Sequence, residues 1–92
     1  MTLEDALFNW LQIQLVANAR PEDGAARDTL AFFEEILRED HGLSSYAIER
    51  TDETMLHVRY EKDGRALLKL YPREVGEQLL HDINATPKYN EA

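Results

Sequence analysis

The first part of the chain carries apolar residues at helical spacing. Thr2 can cap a helix here, and Asp5, at the third helical position, can reach back toward the cap. The apolar positions continue to about Asn18, after which Pro21 and an Asp-Gly pair favour a turn. The pattern therefore predicts a first helix that ends near residue 18.

A second helix is predicted from about residue 25 to residue 40. Its apolar side chains fall on one stripe, with charged side chains on the opposite side. Gly42 suits the C′ position just beyond its end, where left-handed backbone is common. The stripe consists of Ala26, Leu30, Phe33 and Leu37, widened by Phe32 and Ile36.

After Leu43 the apolar spacing changes from helical to alternating, which indicates strands. A first strand follows Leu43, a second covers residues 55–62 and a third covers residues 65–71. The Asp63-Gly64 pair between the last two favours a tight hairpin. The strands are therefore predicted to form an antiparallel meander.

The alternation also gives each strand a buried and an exposed face. The core-facing residues of the second strand are predicted to be Leu56, Val58 and Tyr60. Those of the third strand are predicted to be Ala66, Leu68 and Leu70. The other face of the sheet is left uncovered, and it is predicted to carry His57, Arg59, Leu67, Lys69 and Tyr71.

A last helix is predicted from residue 73 to about residue 84, after Pro72 ends the third strand. Gly76 lies inside it, where glycine costs about 1 kcal/mol relative to alanine, so we expect close packing against another backbone. Residues 85–92 show no periodicity and are predicted to form a flexible C-terminal tail. The apolar stripe of this helix consists of Val75, Leu79, Leu80 and Ile83.

The element order α-α-β-β-β-α predicts an α+β fold, with a three-stranded antiparallel β-meander and helices packed on one face. Residues 1–84 are predicted to form a single domain. Its predicted core consists of Leu7, Trp10, Leu30, Phe33, Leu37, Ile48, Leu56, Val58, Leu68, Leu70, Leu79 and Ile83.

Composition and charge disfavour several classes of function. Eighteen acidic and ten basic residues give a formal charge of −8, which repels a phosphate backbone, so no nucleic-acid partner is expected. The absence of cysteine excludes a disulfide framework and a thiol nucleophile. Glu4 and Asp5 do not fit a signal peptide, and no stretch approaches the ~20 apolar residues of a membrane span. We therefore expect a cytoplasmic protein without a membrane partner.

The last five elements, α-β-β-β-α, resemble a double-stranded-RNA-binding domain in their order. Those domains carry a lysine cluster at the N-terminus of the final helix. Here residues 72–77 contain two acids and one base. Because phosphate affinity grows with the number of neutralising cations, RNA binding is not expected.

Charge is spread unevenly along the chain. Residues 1–43 carry nine acids and three bases, for −6, whereas residues 50–73 carry four acids and six bases, for +2. This distribution fits an ordinary solubilising surface, and it also fits a partner surface selected by electrostatics.

Candidate chemistry is sparse. The best spacing for a metal or acid–base site places Glu74, Glu77 and His81 along one edge of the last helix. The same spacing is common on acidic solvated helices, so Glu77 and His81 remain only alternative candidates for metal binding. No catalytic residue and no cofactor is predicted.

The first helix is more apolar than one buried stripe requires, since ten of the fifteen residues 3–17 are apolar. Either the second helix and the sheet enclose it, or a second copy of the chain or another protein covers the remainder. The predicted interface residues, which share one side of the helix, are Phe8, Leu11 and Leu15.

These features predict a small cytosolic protein that acts as a non-catalytic protein-interaction or regulatory module. It is expected to work through an apolar helical surface and to form a homodimer. The alternative is a small metal-binding protein or enzyme that uses the helix edge with Glu77 and His81.

Overall fold

A computed structural model describes residues 1–85 of the chain, and within them four α-helices and a three-stranded antiparallel sheet follow the predicted order. The predicted α+β fold is therefore confirmed. The helices are α1 (Leu3–Ala19), α2 (Gly24–Glu35), α3 (Arg73–Gly76) and α4 (Gln78–Ala85). The strands are β1 (Leu43–Thr51), β2 (Met55–Lys62) and β3 (Arg65–Pro72).

Side-chain caps fix the starts of the first two helices. The Thr2 hydroxyl accepts the backbone N–H of Asp5 at 3.1 Å, as the capping pattern predicts. At α2 the Asp23 carboxylate accepts the backbone N–H of Ala26 at 3.0 Å, which satisfies a free donor of the first turn. This hydrogen bond favours the ionised carboxylate and so lowers the pKa of Asp23.

The second helix does not stay α-helical to Asp40. It ends as an α-helix at Glu35 and continues as one π-helical turn, Ile36–Asp40, in which hydrogen bonds span an additional residue. Leu37 lies in this wider turn and is fully buried. Gly42 follows with a φ of 67°, the left-handed conformation expected beyond a helix end.

The sheet has the order β1-β2-β3, with both neighbouring pairs antiparallel. The pairing of β1 with β2 is irregular at two places, where β1 has one residue more than β2. The pairing of β2 with β3 is regular from end to end. The two strands are joined by Asp63 and Gly64, with φ of 54° and 75°, as a two-residue type I′ turn requires.

The predicted faces of β3 are wrong. The register places Tyr71 opposite Leu56 and Lys69 opposite Val58, so these β3 residues share the face that packs against the helices. A two-residue turn pairs Lys62 with Arg65, which fixes even-numbered residues of β2 opposite odd-numbered residues of β3. The face covered by helices therefore carries Leu67, Lys69 and Tyr71, whereas the open face carries Ala66, Leu68 and Leu70.

The predicted last helix is two helices. α3 ends at Gly76, and the following residue, Glu77, has a ψ of −1°, which interrupts the regular helix before α4 begins. Gly76 is buried, but a Cβ there would meet the side chains of Leu56 and Leu11 rather than another backbone. Ala85, predicted as the start of the tail, is the last residue of α4, and the remaining tail residues, 86–92, lie outside the described residues.

Helix α1 is the centre of the fold. It contacts α2, α3, α4 and the π-helical turn, and it contributes to both hydrophobic clusters. The main cluster consists of Ala6, Leu7, Trp10, Leu11, Leu37, Leu43, Leu56, Val58 and Tyr71. The second cluster consists of Ile13, Val16 and Ala26.

Most of the predicted core residues are buried or pack against one of these clusters. The exceptions are Leu68 and Leu70, whose side chains lie on the open face with 56% and 48% of their surface exposed. Their placement follows from the corrected register of β3.

Candidate functional site

The side of α1 that was predicted as an interface is not an exposed stripe. Leu11 is 0% exposed and belongs to the main cluster, and Phe8 and Leu15 are half-buried against that cluster. The ring of Phe8 lies 5.7 Å from the ring of Tyr71. Leu11 is thus covered within the chain, because α1 is enclosed by the sheet and the other helices. Contact of Phe8 and Leu15 with a partner stays a prediction.

Exposed large apolar side chains concentrate instead on β3. In residues 1–85 six large hydrophobic side chains are exposed, and three of the six lie on this strand. Two of these three, Leu68 and Leu70, lie side by side on the open face of the sheet, whereas Leu67 lies on the other face. Because scattered exposed residues are normal and neighbouring ones on one face are less so, the open face of β3 is the best candidate interaction surface. The six are Met1, Phe32, Leu67, Leu68, Leu70 and Val75.

The open face of the sheet combines Leu68 and Leu70 with charged or polar neighbours from β2. Leu68 lies opposite Arg59, and Leu70 lies opposite His57. Arg59 donates to Glu61 at 3.2 Å, so its charge is partly balanced on the same strand. The leucines therefore form an apolar strip along β3, with a polar strip beside it. We call the residues Ala66, Leu68 and Leu70 the β3 patch.

β3 is also an edge strand, since the sheet order places β1 and β3 on the outside. An edge strand presents a row of backbone N–H and C=O groups that another strand can pair with. On β1 the extra residues at two places interrupt that row, whereas β3 runs without a bulge over its full length. Of the two edges, β3 is better suited to accept a further strand.

The opposite side of β3 has structural contacts. Nζ of Lys69 lies 3.1 Å from a carboxylate oxygen of Glu4 on α1 and 5.7 Å from the ring centre of Tyr71. Burial raises the pKa of Tyr71 to about 12. Lys69 and Tyr71, predicted on the open face, thus help to join β3 to α1.

A carboxylate–imidazole pair lies at the end of the sheet near the β1–β2 loop. Oδ2 of Asp52 is 2.7 Å from Nε2 of His57, and Oδ1 accepts the backbone N–H groups of Thr54 and Met55. These hydrogen bonds, the one with His57 foremost, hold the pKa of Asp52 well below its usual value. Two of the three close the loop, so the arrangement supports the turn.

Arg73 connects this loop to α3. Its backbone N–H donates to the Thr54 carbonyl at 2.8 Å, and its guanidinium donates to the Asp52 carbonyl at 3.1 Å and to Glu77 at 3.0 Å. The cation at the N-terminus of α3 is therefore engaged within the chain rather than left free for phosphate. That RNA is not a partner stays a prediction.

Glu77 and His81, the candidate metal ligands on the last helix, are not in close contact with each other. Oε1 of Glu77 is 4.0 Å from Nε2 of His81, whose side chain is 71% exposed, and the other oxygen of Glu77 accepts from Arg73. The described part of the chain has no group of three or more His, Cys, Asp or Glu side chains placed to hold a metal ion. The geometry gives this edge no further support as a metal site.

An open apolar cleft of about 330 Å³ lies beside the second hydrophobic cluster. Ile13 and Val16 of α1 line it, together with Leu79 and Ile83 of α4. Its carboxylate, Asp23, already accepts from Ala26 and pairs with Arg20 at 3.3 Å. The other polar side chain of the lining, Thr29, donates to the Ala25 carbonyl at 2.9 Å. The described lining residues therefore offer no convergent set of free polar groups that would fix a small ligand.

Comparisons with protein-family models, with curated proteins and with solved structures give no match to this chain. Among the helices of residues 1–85, none has the length and apolar character needed to cross a bilayer.

The sequence pattern missed the β3 patch because Leu67 and Leu68 are adjacent, so alternation alone fits either face of the strand. The two-residue turn at Asp63-Gly64 supplies the missing signal, since it determines which residues of β2 and β3 face each other. The contact of Asp52 with His57 had no comparable signal, because it depends on the shape of the loop.

Proposed function

We propose that this chain is a non-catalytic protein-interaction module of the cytoplasm that works as a homodimer through β3. The observation that supports it is the β3 patch, an apolar strip on an open sheet face beside a strand edge with which no other strand of residues 1–85 pairs. The sequence predicts that α1 provides the interaction surface. We propose β3 instead, because α1 is enclosed within the chain.

Within residues 1–85, the polar side chains that could carry chemistry are engaged in contacts within the chain, which favours a binding role over a catalytic one. Asp52 and His57 are used in closing a loop, and Glu77 is engaged by Arg73. An apolar patch of this kind, by contrast, is stabilised when a second protein surface removes it from water. A second copy is the proposed occupant because an edge strand can pair with its own symmetry mate.

Sedimentation equilibrium at tens of micromolar protein tests the proposal. We expect the wild type to sediment as a dimer and Leu68→Glu to raise the dissociation constant by at least about tenfold, or ~1.4 kcal/mol. A charge at this position would be removed from water in the dimer without a partner. A monomeric wild type would reject the proposal.

Phe32→Glu is the matched control. Phe32 on α2 and Leu68 on β3 are both 56% exposed, so the two substitutions place the same charge at equally accessible positions. The control is expected to remain a dimer. Dissociation by Phe32→Glu together with an unaffected Leu68→Glu would assign the interface to a helical surface and reject β3.

A further inference from the structure

We infer that two copies pair their β3 strands antiparallel, in register about a two-fold axis at Leu68. This arrangement would join the two sheets into one. The inference rests on the proposed function, since it specifies the geometry of the homodimer. It follows from three features of β3: the direction of its backbone groups, the position of Leu68 within the strand, and the spacing of its charges.

The backbone direction follows from the hairpin. A β-turn closes with a hydrogen bond between its first and last residues, which here are Lys62 and Arg65. Backbone groups of an antiparallel strand alternate in direction, so Arg65 and every second residue after it bond to β2. The N–H and C=O groups of Ala66, Leu68 and Leu70 therefore point to the free edge.

The same residues carry the β3 patch on the open face. An added antiparallel strand would hydrogen-bond to their backbone while its own side chains extend the apolar strip. A two-fold axis perpendicular to the sheet keeps both open faces on the same side. The patch of one copy then continues directly into the patch of the other.

The position of Leu68 gives the longest overlap. It lies near the middle of β3 (Arg65–Pro72), so an axis there pairs nearly the whole strand. An axis at Leu70 would place Pro72 opposite Leu68, and Pro72 has no N–H to donate. An axis at Ala66 would pair half of the strand with the hairpin turn.

The charges of β3 also favour an axis at Leu68 over an axis at Leu67 or Lys69. With the axis at Leu68, Lys69 lies opposite Leu67 of the second copy, and Arg65 lies opposite Tyr71, so no two like charges are directly opposed. An axis at Leu67 would place Lys69 opposite Arg65, and an axis at Lys69 would place it opposite itself. Like charges directly opposite each other destabilise a sheet, so both alternatives are disfavoured.

Single-cysteine variants test this register, because the chain contains no cysteine of its own. In the inferred dimer the two Leu68 residues form a hydrogen-bonded pair with Cα atoms about 5.5 Å apart, within the range a disulfide spans. The two Leu70 residues are separated by four residues along the strands, which places them roughly 14 Å apart. Leu68→Cys is therefore expected to cross-link on oxidation, and Leu70→Cys is not.

A mixing experiment adds a positive result that only this register gives. Ala66 of one copy faces Leu70 of the other, so Ala66→Cys and Leu70→Cys chains should form a mixed disulfide when combined, although neither cross-links alone. All three positions are exposed. Thermal unfolding followed by circular dichroism checks that each variant is folded.

The outcomes separate the register from the proposed function. Cross-linking of Leu68→Cys and of the mixed pair, without cross-linking of Leu70→Cys, supports the inferred dimer. A wild type that sediments as a dimer while Leu68→Cys fails to cross-link overturns the register and leaves the proposed function standing. A wild type that sediments as a monomer overturns both.

Discussion

Oδ2 of Asp52 lies 2.7 Å from Nε2 of His57, although Asp52 belongs to the β1–β2 loop and His57 belongs to β2. The other oxygen of the carboxylate accepts two backbone N–H groups of the loop. Hydrogen bonds to the ionised carboxylate favour that form, which is why the pKa of Asp52 is lowered. The carboxylate thus stabilises the loop only while it is ionised.

We expect Asp52→Ala to destabilise the protein more at pH 7 than at pH 3. A group with a lowered pKa in the folded state stabilises it above its unfolded-state pKa, here 3.8, and this contribution is lost as the pH falls through the lowered value. Urea unfolding at both pH values measures the difference between the variant and the wild type. The difference should shrink at pH 3.

Glu53→Gln is the control for this pH dependence, because Glu53 is the exposed neighbour in the same loop. Its difference from the wild type is expected to stay small at both pH values. An Asp52→Ala effect that is equal at pH 7 and pH 3 would contradict a role for the charge.

Leu11→Ala is expected to reduce the free energy of unfolding by about 2–5 kcal/mol, because it leaves a cavity in the main cluster. Leu11 is 0% exposed, so Leu11→Glu would bury an unpaired charge and is expected not to fold. Leu15→Ala is the comparison on the same helix, and its loss should be smaller because Leu15 is half-buried. Chemical denaturation measures all three.

A Leu11→Glu protein that is folded and monomeric would support the interface on α1 that the sequence predicts. Equal losses for Leu11→Ala and Leu15→Ala would likewise show that α1 is not enclosed in the way its contacts indicate.

Zinc is expected to leave the melting temperature unchanged. A metal that binds only the folded state raises stability by mass action. Here, however, one oxygen of Glu77 is engaged by Arg73, and the other lies 4.0 Å from Nε2 of His81. Thermal unfolding with zinc and with a chelator measures this for the wild type and His81→Ala. A rise in melting temperature that disappears in His81→Ala would reinstate the metal site.

Local signals predicted the elements well. Thr2 and Asp23 cap helices, and Asp63-Gly64 forms a turn, because each acts on backbone groups within a few residues. The faces of β3 were predicted wrongly because Leu67 and Leu68 allow either alternation. The alternation of β2 places Arg59 on the open face, and the two-residue turn places Leu68 opposite Arg59. The two signals together therefore predict that Leu68 lies on the open face.

Other features depend on the folded chain as a whole and leave little local pattern. The break at Glu77 occurs within a run whose apolar spacing fits one continuous helix. The enclosure of α1 requires α2, α4 and the sheet to lie around it, which apolar content alone leaves open to a partner. Because α1 is enclosed, the candidate interaction surface lies on β3 rather than on α1.

Gly76→Ala is expected to destabilise the protein by about 1–3 kcal/mol, because the added methyl group overpacks the core. Its Cβ would lie 2.5 Å from Cδ1 of Leu56 and 3.4 Å from Cδ2 of Leu11, and both leucines are 0% exposed. The gain in helix propensity, at most about 1 kcal/mol because Gly76 is the last residue of α3, offsets only part of this cost. Urea unfolding of the variant measures the balance.

Gly24→Ala is the matched control, since a Cβ at Gly24 would meet only the end of Arg27 at 3.8 Å. It is expected to be neutral or slightly stabilising. A double-mutant cycle then tests the cause: Leu56→Val removes the methyl group that clashes, so Gly76→Ala should cost less in that background. If its cost is the same in both backgrounds, the contact with Leu56 is not what requires glycine at this position.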